Sequence, residues 1–413
     1  MRPDRRQSFN AGLVATIGLF LFAMIIVLQW PVLQPAADDP AMLDWAKTNR
    51  QVGSDWGPLY VLVLRLAYLA SGDTLAGFRI VISSVSLISG ALIFFWIQKC
   101  SGSFKFAAAG ALFYVISGFS PTASSTHQSD LLIESSLAGH MALCFVLSAL
   151  LASPSFRSPR SLAICSGSLL LATYCRPEFF LVSVLCLGAA IVSVVRSRIE
   201  PGDMVWIASL ASMWVGLVCV WGVPLPSGER AFVAFGQHAG LSFCAAYNSF
   251  CVTNLWLDWE SYVNKLFPGA TSIWTALKAN PLAFGEHLVR NVAISAINVG
   301  TALLDFAGLP ASIDIRRLVA AGFILWSAVE LGRKKLRAGG VQQLPVAKLN
   351  ATLLAIAAVI IFPQLVNWVL LYPRAHYMIV PVVVGLGLLT NLYLRTGGNI
   401  EAVAPSVGTL RTS

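Results

Sequence analysis

The sequence predicts an all-α protein that crosses a membrane many times. Of its 413 residues, 57% are hydrophobic and only 11% are charged, and the mean hydropathy is +0.73, whereas a soluble domain carries about 25% charged residues. Long apolar segments recur along the chain, and each membrane-spanning helix needs roughly 20 such residues. Short basic clusters separate these segments. We therefore expect a single membrane domain over residues 1–395 with about 9–12 transmembrane helices.

The basic clusters set the expected topology. If the N-terminus is cytoplasmic and the sides alternate after it, the clusters near 2–6, 99–105, 157–160, 196–198 and 333–337 all fall on the cytoplasmic side. That distribution is the positive-inside pattern of membrane proteins. The predicted spans are about 9–30, 80–97, 106–120, 131–152, 162–175, 179–195, 204–222, 318–332, 351–371 and 376–395.

Two long stretches between these spans are expected outside the cytoplasm. The first external loop, 31–79, has an apolar second half that contains Arg65, which suits helices at the membrane interface better than a crossing. The second, 224–317, is rich in Trp, Asn, Pro and Gly. Within it, 291–309 is apolar enough to cross, but a crossing would move the next basic cluster outside. Either 291–309 is a re-entrant or surface helix, or a weak segment near 231–247 also crosses.

Charge and cysteine content exclude other classes of protein. The net charge is +9, but the basic residues form no continuous face that could follow a phosphate backbone, so no nucleic-acid partner is expected. The eight cysteines show no metal-binding spacing. Cys244 and Cys251 form a local disulfide if their stretch lies outside the cytoplasm, or they are two free thiols. Residues 396–413 are expected to be a disordered cytoplasmic tail.

Two adjacent acids, Asp38 and Asp39, follow the first predicted span directly. Ionisable residues at the edge of a membrane are costly and are candidates for function by default. The alternative is a solvated pair of carboxylates, one of which caps the following helix. The surrounding stretch, "DDPAMLDWAKTNRQVGSDWGPLY" (38–60), bears on this choice.

This stretch resembles the first external loop of the membrane-embedded GT-C glycosyltransferases, above all the branch of protein O-mannosyltransferases and lipid A aminoarabinose transferases. In that family an acidic pair, usually Asp-Glu, precedes a helical Tyr/Trp-Ala stretch and a Gly-Asp/Asn-Trp-x-x-Pro element. Here Asp38 and Asp39, then Trp45-Ala46, and then "GSDWGPLY" (53–60) take these places. Asp39 stands where the family usually has Glu, which leaves open which of the two acids is the working carboxylate.

Further motifs follow in the order of that family. "HQSDLLIESSLAGHMALCF" resembles a second external loop in which an acid, here Asp130, opens a span. "ATYCRPEFFL" resembles a short outward turn with Arg-Pro, here at Arg176. "LLYPRAHYMIVPVVVGLGLL" resembles a late element with an arginine and a tyrosine, here Arg374 and Tyr377. The resemblance covers about residues 9–200 and 350–395.

The resemblance implies inverting transfer of a sugar from a polyprenyl-phosphate donor to an acceptor hydroxyl, outside the cytoplasm. Such a hydroxyl needs a carboxylate that takes its proton as it attacks, and the leaving lipid phosphate needs cations nearby. Both groups must stand at headgroup height, because the lipid tail stays in the bilayer. Asp38 or Asp39 is therefore expected as the base, Asp130 as a second acid or a helix cap, and Arg374 at the donor phosphate or as an interfacial arginine.

Other polar residues receive supporting roles. His376 and Tyr377 are expected at the donor phosphate beside Arg374, together with Arg176, which could instead pair with Glu178. The candidates for holding the acceptor or its sugar are His127, Glu134, His238 and Trp259. The alternative for the aromatic residues of the long loop is a belt at the membrane interface.

The expected partners are a polyprenyl-phosphate-linked sugar, membrane lipids, and a glycan, lipid or protein acceptor. No metal is expected to be required, although acids near a phosphate can share a divalent cation. The expected location is a bacterial inner membrane, with both termini cytoplasmic and the active site outside. One alternative is a polysaccharide polymerase or O-antigen ligase with an Arg/His site in a late loop. Another is a secondary transporter or lipid flippase, although the internal repeats common in transporters are not evident.

Overall fold

The computed structural model describes residues 39–49, 57–116, 137–152, 159–196, 201–224, 228–247, 258–306, 351–370 and 375–399. This part of the chain is all-helical, with 14 α-helices and one 3-10 turn, Pro177–Phe179. In chain order the helices are α1 (Asp39–Thr48), α2 (Pro58–Ser71), α3 (Thr74–Ser101), α4 (Phe104–Ile116), α5 (Leu137–Ala152), α6 (Pro159–Cys175), α7 (Phe180–Arg196), α8 (Pro201–Trp221), α9 (Gly228–Ala246), α10 (Trp259–Leu266), α11 (Ile273–Ala279), α12 (Pro281–Phe306), α13 (Ala351–Leu370) and α14 (Ala375–Asn399).

Four described segments are long and apolar enough to cross a membrane: Thr74–Ser101, Pro177–Val194, Gly202–Trp221 and Leu353–Leu370. Each overlaps a predicted span, so the all-α class and the membrane-length helices are confirmed for the described residues. Helices α2 and α5 and the stretch Ile379–Asn391 of α14 are apolar but shorter. Two predicted spans, 9–30 and 318–332, lie outside the described residues.

The first external loop contains two helices, α1 and α2. Helix α1 begins at Asp39, and Pro40 follows in its first turn, where the missing N–H of proline costs little. It ends before Asn49, whose φ of 56° is the left-handed conformation that commonly terminates a helix. Helix α2 buries Tyr60 and Leu64 but exposes an apolar stripe, as expected for a helix at a membrane interface.

Local signals also explain the sharp turn between α2 and α3. Gly72 takes φ 71°, and its N–H donates to the Tyr68 carbonyl at 2.8 Å, which closes α2. Asp73 then caps α3, because its carboxylate accepts a hydrogen bond from the Ala76 N–H at 2.6 Å. Only Gly72 and Asp73 therefore separate the two helices.

Helix α8 shows most directly that an apolar environment surrounds the bundle. Its Gly202–Trp221 segment has a mean hydropathy of 1.9, yet only 6% of that segment is buried. Val215 and Val220 are 63% and 72% exposed. A soluble protein rarely leaves so large an apolar surface in water. The exposed apolar surface of this helix is compatible with a lipid environment.

The main apolar core joins α1–α7 with α13 and α14. At one end of this bundle Lys99 Nζ donates to the Leu150 carbonyl at 2.6 Å, so the last turns of α3 and α5 lie together. Asn391 Nδ2 donates to the Cys100 carbonyl, which brings the later turns of α14 to the same place. We call this the Lys99 end, and the opposite one the Gly57 end.

The stretch 224–317, expected to be a long loop, folds into helices wherever the structure describes it. On α9, Phe232, Phe235, Ala239 and Phe243 recur every three or four residues and are buried against α10–α12, which is the spacing of one helix face. Together with α10, α11 and the first turns of α12, they form a second apolar core, which we call the aromatic cluster. The composition of this stretch had concealed its amphipathic pattern.

The contacts of α9 bear on whether 231–247 crosses the membrane. Helix α6 starts near the Lys99 end, so Tyr174, close to its last residue, lies at the Gly57 end. The Tyr174 hydroxyl donates to the Gly222 carbonyl at 2.9 Å. Gly222 is therefore also at the Gly57 end, and α9 begins six residues after it. At the other end of α9, the Tyr247 hydroxyl donates to Glu286 Oε1 at 2.9 Å, on the second turn of α12. That turn also lies at the Gly57 end, because His287 Nε2 is 3.2 Å from the Leu370 carbonyl. Both ends of α9 therefore lie at the Gly57 end, so the helix runs across this end. This arrangement argues against a membrane crossing at 231–247.

Candidate functional site

The Gly57 end gathers the ends of several helices that the sequence analysis had linked to function. Helix α6 starts next to the Lys99 end, after the chain leaves α5, and its 17 residues rise about 25 Å. Cys175, its last residue, is therefore at the opposite end. Since α14 reaches the Lys99 end with Asn391, its first turns and the last turns of α13 also lie at the Gly57 end.

Gly57 makes a close contact with the backbone of α6 at this end. It has φ 71°, and a Cβ atom built on it would lie 2.8 Å from the Cys175 carbonyl oxygen. Only glycine satisfies both the left-handed backbone and the close approach. Pro58, directly behind it, starts α2 with its φ already fixed for a helix. Gly57, the first described residue of the "GSDWGPLY" element, is thereby packed against the residue that precedes Arg176.

The Arg176 turn is built from an ion pair and a short 3-10 turn. Arg176 Nε lies 3.7 Å from Glu178 Oε1, and the two side chains are 15% and 10% exposed. The structure therefore shows the pairing with Glu178, which was the alternative to a role of Arg176 at the donor phosphate. The distance is that of an ion pair rather than a hydrogen bond. Pro177 begins the turn, which packs against α13 as well as against α6 and α7.

Helix α13 carries a buried polar face where it approaches this turn. Gln364 and Trp368, four residues apart, are only 2% and 6% exposed. The sequence analysis missed both, although a glutamine inside an apolar span is a visible signal. On the adjoining side, Asn291 Nδ2 of α12 donates to the Val369 carbonyl at 2.9 Å. The end of α13 is thus held between α12 and the Arg176 turn.

A second buried polar group lies deeper in the bundle. The Tyr114 hydroxyl and His140 Nδ1 are 2.7 Å apart, between α4 and α5, and both residues are fully buried. One turn further along α5, Cys144 Sγ lies 3.1 Å from Ser89 Oγ of α3. Sequence reasoning did not single out His140, because a lone histidine in an apolar helix gives no sign of its partner.

The surface of the aromatic cluster carries a small charged group. Arg290 donates to Glu286 Oε1 from Nη2 at 2.6 Å and from Nε at 3.0 Å. The hydrogen bonds from Arg290 and then from Tyr247 lower the pKa of Glu286 below its ordinary value. The hydrogen bond to Glu286 in turn raises the pKa of Arg290. Ionised Glu286 therefore ties the end of α9 to α12.

The structure locates only some of the predicted site residues. Asp39 is the first residue of α1, and His376 and Tyr377 lie in the first turn of α14, but their side chains are outside the described set. His238 is 3% exposed on α9, inside the protein rather than on an open loop. Trp259 begins α10 and packs edge-on against Phe232, with ring centroids 5.9 Å apart. The predicted residues outside the described part of the chain are Asp38, His127, Asp130, Glu134 and Arg374.

Metal and cysteine chemistry can be stated for the described residues. They contain no group of three or more His, Cys, Asp or Glu side chains that could hold a metal ion. Cys244 is disulfide-bonded, which agrees with the predicted disulfide and not with the alternative of a free thiol. The six other described cysteines are free. Cys251 lies outside the described residues. A disulfide at the end of α9 is typical of an oxidising compartment, which agrees with an external Gly57 end.

Comparison of the chain with protein-family models, with curated proteins and with solved structures finds no match.

Proposed function

We propose that this chain is a GT-C-like membrane glycosyltransferase. It moves a sugar from a polyprenyl-phosphate donor to an acceptor hydroxyl at the Gly57 end of the bundle. The observation that carries the proposal is the contact between Gly57 and the Cys175 carbonyl, 2.8 Å from a built Cβ. It joins the first external loop, with its acidic pair, to the Arg176 turn. That turn packs on α13, and Arg374 follows α13 by four residues.

The proposed reaction is a single displacement with inversion. The acceptor oxygen attacks the anomeric carbon while Asp38 or Asp39 takes its proton. The bond between the anomeric carbon and the phosphate oxygen breaks, and polyprenyl phosphate leaves with the electron pair. Arg374 stabilises the negative charge on the leaving phosphate, since a guanidinium offers paired donors to phosphate oxygens. Asp130 orients the acceptor.

The remaining predicted residues have supporting places in this scheme. His376 and Tyr377 follow Arg374 by two and three residues in the sequence and complete the phosphate site in this scheme. Glu178 orients the Arg176 guanidinium, which contacts the donor phosphate in this scheme. The reaction needs no metal, because the leaving group is a monophosphate ester held by arginine. The chain is placed in a bacterial inner membrane, and a glycan, lipid or protein at the outer face accepts the sugar.

The experiment uses the full chain, purified into lipid nanodiscs, with radiolabelled polyprenyl-phosphate sugars and a mixture of membrane glycolipids and glycans. The proposal predicts that one donor is consumed and that its label appears on an acceptor as a glycoside of inverted anomeric configuration. Loss of label to water alone, or no consumption of any donor, would contradict it. Two results together would favour the polymerase or ligase alternative. The acceptor would be the growing polymer itself, and activity would depend on Arg374 and His376 but not on Asp38 or Asp39.

A second candidate function is transport, and the buried Tyr114–His140 pair is the observation that favours it. A hydrogen-bonded histidine inside an apolar bundle is a group that can carry a coupling proton. A proton gradient imposed across proteoliposomes would then drive uptake of a polar solute, and His140→Gln would abolish that uptake. The glycosyltransferase proposal expects no gradient-driven uptake and expects His140→Gln to retain sugar transfer.

A further inference from the structure

The buried face of α13 changes character towards the Gly57 end. Leu353, Ile356 and Ile360 occupy this face first, at a spacing of three and four residues, and belong to the main apolar core. Gln364 and Trp368 continue it at the same spacing. Both side chains are therefore on the buried side of the helix, and neither faces the lipid-exposed side where Phe362 lies.

Each of these two side chains has a buried nitrogen to which no acceptor is assigned. Gln364 Nε2 and Trp368 Nε1 have no hydrogen-bond partner among the described residues. A buried donor without an acceptor destabilises a fold, so native proteins retain few of them. Other buried atoms without a partner, such as Trp96 Nε1, lie elsewhere in the described residues. The Gln364 and Trp368 nitrogens differ in lying one turn apart at the Gly57 end, where a ligand of the proposed site would supply acceptors to both.

The two donors lie in the last turns of α13, near the Gly57 end. With a rise of about 1.5 Å per residue, Trp368 stands about 3 Å and Gln364 about 9 Å below Leu370, the last residue of α13. The Val369 and Leu370 carbonyls are engaged by Asn291 and His287 of α12. A group bound to these two donors would therefore lie beside the Arg176 turn, which packs on α13 as well.

We infer that Gln364 and Trp368 donate hydrogen bonds to the phosphate oxygens of the polyprenyl-phosphate donor. The inference rests on the proposed function and adds two residues to it. An indole N–H can only donate, and a glutamine amide nitrogen carries two donors, so the bound group must offer acceptor oxygens. Phosphate offers several, and the loop with Arg374 follows four residues after α13. When no donor lipid is bound, these groups are buried without a partner. Burying a neutral group in this way costs less free energy than burying a charged one.

The test measures binding and thermal stability in nanodiscs of neutral lipid. The probes are polyprenyl phosphate, the corresponding polyprenol and inorganic phosphate, with wild type, Gln364→Leu and Trp368→Phe. We expect each variant to bind polyprenyl phosphate about three- to tenfold more weakly, the effect of one lost hydrogen bond. Polyprenol binding should be the same in all three proteins. The ligand-free variants should melt at or above the wild-type temperature, because each loses a donor that no acceptor satisfies.

Trp96→Phe provides the matched control. Trp96 is fully buried, its Nε1 also has no partner among the described residues, and it lies at the Lys99 end against Gly387. This variant should leave the affinity for polyprenyl phosphate unchanged. Inorganic phosphate should compete only weakly, because the lipid tail supplies most of the affinity.

Three results would overturn the inference. In the first, both α13 variants lower the melting temperature and bind polyprenyl phosphate like the wild type, which makes the two side chains structural. In the second, discs with anionic phospholipid abolish the difference between variants and wild type, which makes any lipid phosphate an equal ligand. In the third, wild type binds no polyprenyl phosphate, which rejects the proposed function as well. Normal wild-type binding with unaffected variants rejects this inference alone.

Discussion

Gly57 and Cys175 show how single residues determine the geometry of the candidate site. The glycine has a backbone conformation that other residues rarely adopt, and its α-carbon faces the Cys175 carbonyl. The backbone conformation of Gly57 and its close approach to Cys175 involve no reactive group. Together they set the distance between Gly57, in the first external loop, and the Arg176 turn. The proposed mechanism relies on this contact to bring its acids and its arginine together.

Gly57→Ala is therefore expected to reduce both stability and sugar transfer. The left-handed conformation alone costs a residue with a Cβ about 1–2 kcal/mol, and the added methyl would lie 2.8 Å from the Cys175 carbonyl oxygen. Thermal unfolding and donor consumption would be measured together. Gly72→Ala is the control, because Gly72 has the same φ of 71° but nothing within 4 Å of a built Cβ. Equal loss of transfer in both variants would argue against the special role of Gly57.

Glu286 gives a prediction about pH. Its pKa is lowered by Arg290 and Tyr247, so ionised Glu286 stabilises the fold above the pKa it has in the unfolded chain. This stabilisation is lost as the pH falls through its lower, folded-state pKa. Glu286→Gln should lower the melting temperature slightly at neutral pH, since exposed pairs of this spacing contribute about 0.3–0.5 kcal/mol. The difference from wild type should vanish in acid.

Residue-scale features were also the least predictable from sequence. The Arg176–Glu178 pair could be predicted because the two residues are neighbours in the chain. Gln364 stood out as a polar residue in an apolar span, but the sequence did not show that Gln364 and Trp368 are buried, because burial depends on how the helices pack. His238 looked like a loop residue for the same reason, since α9 buries it only once the aromatic cluster forms.

At the scale of helices, apolar length was the reliable signal. The segments predicted near 80–97, 179–195, 204–222 and 351–371 all appear as long helices. Their ends were misplaced by a few residues, because caps such as Asp73 extend a helix beyond its apolar part. The stretch 224–317 was predicted as a loop because α10 and α11 are short and α9 is amphipathic, so that packing of these helices against each other stabilises them.

Helix α8 tests the membrane assignment at this scale. Ala211 lies near its centre and is exposed, so in water a charge there would be harmless. In a bilayer, Ala211→Asp should impair insertion, because an aspartate at the centre of a spanning helix costs about 2.5–3.5 kcal/mol. Membrane-fraction yield and protease sensitivity of the loops would be measured, with Ala211→Leu as the matched control. Normal insertion of the aspartate variant would mean that α8 does not face lipid.

At the scale of the whole molecule, the structure separates two ends. The Lys99 end joins the last turns of α3, α5 and α14, whereas the Gly57 end holds the aromatic cluster and the disulfide-bonded Cys244. The basic clusters predict that the Lys99 end is cytoplasmic. The disulfide predicts independently that the Gly57 end is not. The two signals agree on one orientation.

This orientation can be tested by labelling in whole cells. In a chain whose other cysteines are replaced by serine, Cys244 should react with a membrane-impermeant maleimide added from outside. A cysteine-free chain with Ser103→Cys, at the Lys99 end next to Gly102, should react only after the membrane is opened. The reverse pattern would place the candidate site in the cytoplasm and would remove the basis for an external sugar acceptor.

The measurement that tests the central claim most directly compares donor binding with donor consumption in lipid nanodiscs. The proteins are wild type, Asp38→Asn, Asp39→Asn and Arg374→Ala, with Asp44→Asn, an exposed acid of α1, as control. We predict that one of the two pair variants binds the polyprenyl-phosphate sugar normally but consumes it about 100- to 10,000-fold more slowly, the usual effect of losing a general base. Arg374→Ala should weaken binding itself, and Asp44→Asn should behave as wild type. If Asp38→Asn, Asp39→Asn and the double variant all consume donor at the wild-type rate, the acidic pair is only a solvated loop and the proposed mechanism is wrong.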